Sequence, residues 1–399
     1  HDAVMASLIR SLTIVNSNGE LVELSKTNTK PEEWRAFRTS LGMLGVIVSM
    51  RLKVVPQFNL EVNVSSHKAK KLFNNGGVES FVGNCDWGQI NWFPGSERFI
   101  FACGNETNKK ADPGATNSLL NPSIPKFVIN PYKAVLQYSS CHNGLKCLVE
   151  KISYWRYKWK SYFKKYNKKG KLVSAKKVVG PSHLMASSDF TKSAEGFFQM
   201  DWEIAVPASK LKGAMDAVNE LVKNNKVCLP LVGLFIRFTR ANNTTLLAHS
   251  GAGDYFKKGE LITFIEMPIY LPSGFSPERL QEYTKVYEDF AKLLVDKFNG
   301  RAHWAKNRDW VFKRQKDLGV LKENFSKFQA VVDKWDPHGL FSNNFASNLG
   351  ITWANRPETL ATTNCTNHHN PVCSPSGKVF KNRCQAYSKG ILNPSPCLN

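Results

Sequence analysis

Apolar and polar residues alternate from the start of the chain. Leu8 to Val15 and Glu20 to Leu24 each follow a period of two, and Asn18-Gly19 between them is a short hairpin signal. Pro31-Glu32-Glu33 opens a helix, with Pro tolerated in the first turn and acids suited to its N-terminus. Trp34, Phe37 and Leu41 give that helix an apolar face. The run from Ser40 to Pro56 holds Gly42 and Gly45, which permit close backbone approach, and becomes β-rich before Pro56. Glu195 to Pro207 reads as a strand, and Leu211, Met215, Val218, Leu221 and Val222 then share one helical face. Leu231 to Thr239 and residues 261 to 270 predict two more strands, with Pro268 placing the second at an edge or an end.

Ser276-Pro277-Glu278 is a helix start, and Leu280, Tyr283, Tyr287, Phe290, Leu294 and Phe298 keep helical spacing to a left-handed stop at Gly300. A last stripe runs through Phe325, Phe328, Val331, Val332 and Trp335. Pro337 and Gly339 stop it, and Leu340-Phe341 re-enters a core. Strand, helix, strand, strand, helix is the order of an α+β sandwich.

Composition changes this picture in one place. With 42% apolar and 22% charged residues in 399, the chain reads as globular with two or three domains, and no apolar run reaches the about 18 residues of a membrane span. The net charge of +22 is uneven: half of it falls between Lys151 and Lys177, where eleven Lys or Arg occur without one acid. Seven aromatics interleave there, from Tyr154 to Tyr166. The mixture suits an anionic membrane surface or a phosphate backbone. An exposed basic insertion with inward-packed aromatics is the simpler reading, and no nucleic-acid-binding motif supports the phosphate reading.

Nine cysteines include Cys365, Cys373, Cys384 and Cys397 in the last 35 residues. Cys85 with Cys103, and Cys141 with Cys147, are placed for small disulfides; Cys228 is left over as a buried thiol. Asn-x-Ser/Thr triplets occur at Asn63, Asn105, Asn242, Asn243, Asn324 and Asn364. Together these point to the secretory pathway and an extracellular or membrane-associated location. The chain opens at His1 with no leader before it, which suggests an internal start.

Gly300 to Arg308 crowds His303, Trp304 and three cations into nine residues after the clearest helix. By itself such a helix exit is as often surface as site.

Several motifs carry a resemblance. Ser40-Leu-Gly-Met-Leu-Gly-Val-Ile47 follows a helix and precedes a strand that ends in Val55-Pro56, and Trp87 to Pro94, Val178-Val179-Gly180, His303-Trp304-Ala305-Lys306 and Asp336-Pro-His-Gly-Leu-Phe-Ser-Asn343 lie further on. The chain resembles the sugar-1,4-lactone oxidases, the L-gulonolactone and D-arabinono-1,4-lactone oxidases of the vanillyl-alcohol-oxidase group, over roughly residues 1 to 350. The resemblance implies residues 1–56 as the end of an FAD-binding domain whose remainder lies upstream. It implies 57–355 as the substrate, or cap, domain with the basic insertion at about 151–177, and 356–399 as a Cys-rich module. That module resembles a Kazal-type inhibitor lacking its first and fifth cysteines, which would leave Cys365–Cys384 and Cys373–Cys397 as bridges. It also resembles a plain stapled tail of the plant-type enzymes.

The implied chemistry is hydride transfer from a sugar lactone to FAD, with oxygen as acceptor, on an ascorbate-type route. Lys306, Arg237 and His303 are the implied catalytic residues, and Gly42, Gly45, Val46, Ile47, Trp304 and Asn343 the implied cofactor contacts. No metal site and no nucleic-acid partner are implied. The family's Glu-x-Arg pair is met only in part: Arg237 stands at the Arg position and Phe235 at the Glu position. A non-catalytic secreted binding or inhibitory protein that keeps the cap fold is the competing expectation.

Overall fold

The computed structural model describes residues 5–353, apart from 75, 120–142, 187–196, 225–232, 254, 273–276 and 320–321, and three two-residue strands between 372 and 396. Its first unit is a three-stranded antiparallel sheet, β1 (Ile9–Val15), β2 (Leu21–Ser25) and β3 (Val46–Leu52), in the order β2-β1-β3. The predicted hairpin is there, with Gly19 at φ +81° in its turn. Helix α1 (Pro31–Phe37) buries Trp34 and Phe37. Leu41 is not on that helix: it lies past the end with φ +51°, in the turn that Gly42 (φ +79°) and Gly45 (φ +132°) continue. Gly45 is required sterically, since a Cβ there would sit 2.7 Å from the Val15 carbonyl oxygen on β1.

The second unit is an eight-stranded sheet of β4 (Asn59–Lys68), β5 (Trp87–Phe93), β6 (Arg98–Thr107), β10 (Lys177–Pro181), β11 (Phe197–Pro207), β12 (Leu234–Arg240), β13 (Leu261–Pro272) and β14 (Arg301–Ala302). Its order is β10-β4-β6-β5-β12-β13-β11-β14, and its pairs are antiparallel. The expected α+β architecture is therefore present. Cys85 and Cys103 are bridged across the β5/β6 hairpin, as their spacing suggested. Cys147 is disulfide-bonded, while Cys141 and Cys228 lie outside the described residues.

Two large cores flank this sheet, with a smaller one around Phe256 and Ile262. On one face Ile90, Trp92, Trp202, Ile204, Val206, Leu234, Ile236, Ile265 and Met267 meet the long helices. Two of these are α3 (Leu211–Asn224) and α4 (Pro277–Phe298), and α5 (Asp309–Asp317), α6 (Lys322–Trp335) and α7 (Asn344–Leu349) add Val311, Phe328 and Leu349. On the other face Leu60, Val62, Phe93, Ile100 and Phe235 meet Tyr154 and Tyr157 of α2 (Asn143–Trp159), with Tyr162 and Phe163. A small sheet pairs β7 (Thr116–Asn117), which precedes α2, with β8 (Phe163–Tyr166) and β9 (Leu172–Ser174), which follow it.

Four expectations change in detail. Pro268 lies inside β13, an internal strand, but β12 pairs with β13 only up to Glu266, so at Pro268 the strand has β11 as its one partner and is locally an edge. The left-handed stop after α4 is Asn299, φ +53°, not Gly300. Gly300 is needed for space, because a Cβ would collide with Ile204 Cγ2 on the sheet. Leu340 does not return to a core but is 42% exposed; the turn is held instead by Asp336, whose carboxylate accepts from the Leu340 and Phe341 backbone N–H groups. Asn324, one of the glycosylation triplets, is buried and out of reach of a glycan. The Cys-rich module lies largely outside the described residues: of it, Val372–Cys373, Val379–Phe380 and Ser395–Pro396 form a small three-stranded sheet.

Candidate functional site

Residues on a strand alternate between faces, so whatever lies between the buried apolar residues of β5, β12, β13 and β11 must face away from the helices. Those residues are Asn91, Phe235, Glu266 and Glu203. The register sets them in a single row: Asn91 opposite Phe235, Phe235 opposite Glu266, and Glu266 opposite Glu203. Neighbouring strands lie about 4.8 Å apart, so two carboxylates are placed side by side. Two like charges that close and that buried, with side-chain exposures of 9% and 3%, require cations between them.

Arg237 supplies one, from two residues along β12 on the same face. Its Nη2 lies 2.6 Å from Glu203 Oε2 and 2.6 Å from Glu266 Oε2. Lys306 supplies the other, with Nζ 2.9 Å from Glu203 Oε2 and 2.6 Å from Glu266 Oε1. Lys306 is brought there by a turn pinned to the Glu203 backbone. His303 N–H donates to the Glu203 carbonyl at 3.0 Å, and Asn307 Nδ2 donates to it at 2.9 Å. The result is a closed cluster of two acids and two bases in which Arg237 and Lys306 keep open edges, 41% and 24% exposed.

A histidine completes it. Arg301, buried, donates to the carbonyls of Gly251 (2.7 Å) and Ala248 (3.0 Å), and Trp304 Nε1 donates to that of Leu247 (2.5 Å). These bonds fasten the loop 247–251 onto β14 and bring His249 Nε2 to 3.3 Å from Glu203 Oε1. The His249 and His303 rings meet edge to face at 4.6 Å.

The electrostatics follow from burial and partners. Desolvation lowers the proton affinity of both imidazoles, His303 to about 4, so both are neutral at pH 7. For Glu203, desolvation would raise the pKa, but the adjacent His249, Arg237 and Lys306 outweigh it and hold the carboxyl well below the usual range. Glu266 goes the other way: burial, aided by the Glu203 charge, raises it. Of the pair, Glu266 is the one that takes up a proton first. Lys306 and Arg237 are raised despite burial, because both carboxylates favour their charged forms. Ligand atoms of Glu203, His249 and His303 lie within 4.8 Å of one another. Yet Glu203 already faces an ammonium and a guanidinium, whose repulsion of a divalent ion argues for proton handling rather than metal binding.

Of the residues nominated from sequence, the structure joins Lys306, Arg237 and His303. Trp304 turns into the core, stacked on Phe312 at 5.4 Å, and acts as a loop anchor. Asn343 is the N-cap of α7, accepting from Ala346 N at 2.8 Å. Gly42, Gly45, Val46 and Ile47 form the β3 entry, where Val46 and Ile47 are exposed by 56% and 43%. The carboxylate missing at Phe235 is a correction of another kind. The Phe235 ring is buried among the aromatics of the second core, and Arg237 draws its acids from the neighbouring strands instead. Glu203, Glu266 and His249 were not singled out from sequence. The available signal was an acid set between apolar β-residues, Trp202-Glu203-Ile204 and Ile265-Glu266-Met267, though in β11 Asp201 stands two residues before Glu203.

A family model described as D-arabinono-1,4-lactone oxidase matches residues 50–349. An L-gulonolactone oxidase of Bos taurus is 26% identical over 341 residues, covering 85% of this chain and 68% of the relative. A probable L-gulonolactone oxidase 6 of Arabidopsis thaliana is 25% identical over 377 residues, 88% of this chain and 59% of the relative. Among solved structures, a cholesterol oxidase from Brevibacterium sterolicum aligns with a TM-score of 0.59 at 14% identity over 86% of this chain and 69% of that one, a likeness of fold.

Proposed function

The chain belongs to the D-arabinono-1,4-lactone oxidase family, and on that premise we propose that it serves the FAD-dependent oxidation of a sugar 1,4-lactone, with oxygen as final acceptor. The observation that carries the reading is the Glu203–Glu266–Arg237–Lys306 cluster: balanced charge, fixed geometry and two cations with open edges on one face of the sheet.

The cluster suits a flavin. The buried Nε of Arg237 has no hydrogen-bond partner among the described residues, so the guanidinium has a donor to spare for an electron-rich ring. Lys306 and Arg237 would hold the ring's redox edge, and the Gly42–Gly45 turn with the exposed Val46 and Ile47 would lie toward the cofactor. Bound FAD would accept the hydride that leaves the substrate carbinol.

The protein's own groups account for the rest. Carboxylates accept from sugar hydroxyls, and Arg237 donates to their oxygens. Loss of hydride from a carbinol carbon requires its hydroxyl proton to leave as well. Glu266 is suited to take it, because burial and the neighbouring Glu203 raise its proton affinity while Glu203 stays ionised. Lys306 and Arg237 stabilise the negative charge that develops on the carbinol oxygen. His249 and His303, both neutral, add no competing charge.

The test is the absorbance of the purified natural gene product. Flavin bands that bleach under anaerobic L-gulono- or D-arabinono-1,4-lactone support the proposal. A protein that stays colourless after incubation with FAD overturns it.

A further inference from the structure

Helix α2 has two apolar faces, and among the described residues only one of them is packed. At about 100° per residue, Val149, Tyr154 and Tyr157 point to one side, where they are buried against the large sheet and its neighbours. Leu148, Ile152, Trp155 and Trp159, spaced four, three and four apart, fall together on the opposite side. They are exposed by 51%, 57%, 49% and 68%. This outward ridge is about 17 Å long at 1.5 Å per residue.

Cations line it on both sides. By the same geometry Lys151 and Lys158 flank one edge, and Arg156 and Lys160 the other. Lys158 Nζ lies 4.5 Å from the Trp155 ring centre and 5.5 Å from that of Trp159, and the two indoles stack at 6.4 Å. The aliphatic part of Lys158 thus extends along the ridge with its ammonium at the rim. No acid occurs between Lys151 and Lys177, so the adjoining β8–β9 hairpin carries only basic charged side chains of its own, with Lys165 paired to Asp112. An exposed Tyr166–Leu172 cross-strand pair stands near its turn.

We propose that the outward face of α2 is a docking surface for an anionic lipid bilayer, on which the helix lies in the interfacial plane. The chemistry selects this occupant. Trp at the headgroup level, aliphatic side chains below it and Lys and Arg beside it make up an interfacial helix. Anionic headgroups answer the excess of positive charge, an attraction that acts within a Debye length of the bilayer surface. A second copy of the chain pairing ridge to ridge would set cationic margins against cationic margins. A nucleic-acid strand would stack on the indoles but gains little from Leu148 and Ile152. No described helix is long and apolar enough to cross a membrane, so the contact is with the surface.

Co-sedimentation tests it. The protein should sediment with vesicles of about 30% phosphatidylserine in phosphatidylcholine at least about tenfold more than with pure phosphatidylcholine vesicles, and about 0.5 M salt should release it. The double variant Trp155→Gln/Trp159→Gln should lose at least about tenfold in binding while its melting temperature stays unchanged, because both side chains already face water. Ile152→Gln, which removes no aromatic ring, should weaken vesicle binding in the same direction. The proposal is overturned if the wild-type protein ignores anionic vesicles, if the variants bind them equally well, or if a single-stranded oligonucleotide is bound in their place and Ile152→Gln has no effect.

Discussion

The acid–base cluster on the large sheet and the basic segment from Lys151 to Lys177 use the same charged side chains in opposite ways. In the cluster every charge has a fixed counter-charge: Glu203 and Glu266 each contact both Arg237 and Lys306. In the basic segment counter-charges come from outside it, as from Asp112 to Lys165 and from Glu61 to Lys177. The first arrangement is buried, where an unanswered charge is costly, so it is closed and specific in geometry. The second is solvated, where like charges cost little, so its charge is free to act at a distance on an anionic partner. Placement decides which kind of work a lysine does.

The largest effects are expected in the buried cluster. Glu203→Ala would leave Arg237 and Lys306 with one carboxylate between them. A loss of about 3–5 kcal/mol is expected in urea unfolding, and a loss below about 1 kcal/mol would show that the cluster does not hold the site together. Lys306→Met should lower kcat/KM for lactone oxidation by about 10²–10³-fold through lost charge stabilisation in the transition state. Steady-state kinetics alongside an unfolding curve separates that effect from instability.

Phe235→Glu is a sharper probe, since it restores the family's Glu-x-Arg spelling. Here the new carboxylate would face its cross-strand neighbour Glu266. A destabilisation of about 2–3 kcal/mol with no gain in activity is expected; increased activity would show that the site lacks an acid after all.

The pH response follows next. His303 titrates near 4 when folded against an ordinary value of 6.5 when unfolded, and His249 is shifted in the same direction. Between those values the unfolded chain binds more protons, so this stability is present above pH 6.5 and is lost as pH falls toward 4. Allowing for the partly exposed His303 ring, about 2 kcal/mol is at stake. Glu266, raised, has the opposite sign: its contribution is lost as pH rises through its folded value. Melting temperatures measured from pH 7 to pH 4 should fall, and the Glu203→Ala variant should show a different slope. The smallest effect belongs to the solvated region, where Lys168→Glu/Lys169→Glu should change stability by no more than about 0.5 kcal/mol while weakening binding to anionic vesicles.

Much of this molecule can be read along the chain, and the exceptions have physical causes. The stripes of α3, α4 and α6 and the alternation of β1, β2, β11 and β13 are local periodicities, and all appear where the pattern places them. Seven aromatics in the basic segment could be counted from sequence but not sorted. Tyr154, Tyr157, Tyr162 and Phe163 are buried while Trp155, Trp159 and Tyr166 are exposed, because sorting them needs the rotation of α2 against the sheet. Gly300 is the expected left-handed stop, but that conformation falls on Asn299. The constraint on Gly300 is Ile204, nearly a hundred residues earlier, and not its own φ.

The sequence by itself determined the element types and the helix starts, because each depends on neighbours within a few residues, and its contiguous motifs named Lys306 and Arg237 as candidates. The tertiary structure alone decided which acids meet them. Glu203, Phe235 and Glu266 are separated by about thirty residues at each step, and the register of β11, β13 and β12 brings them side by side. A shift of one residue in either pairing would have turned those carboxylates into the helix core.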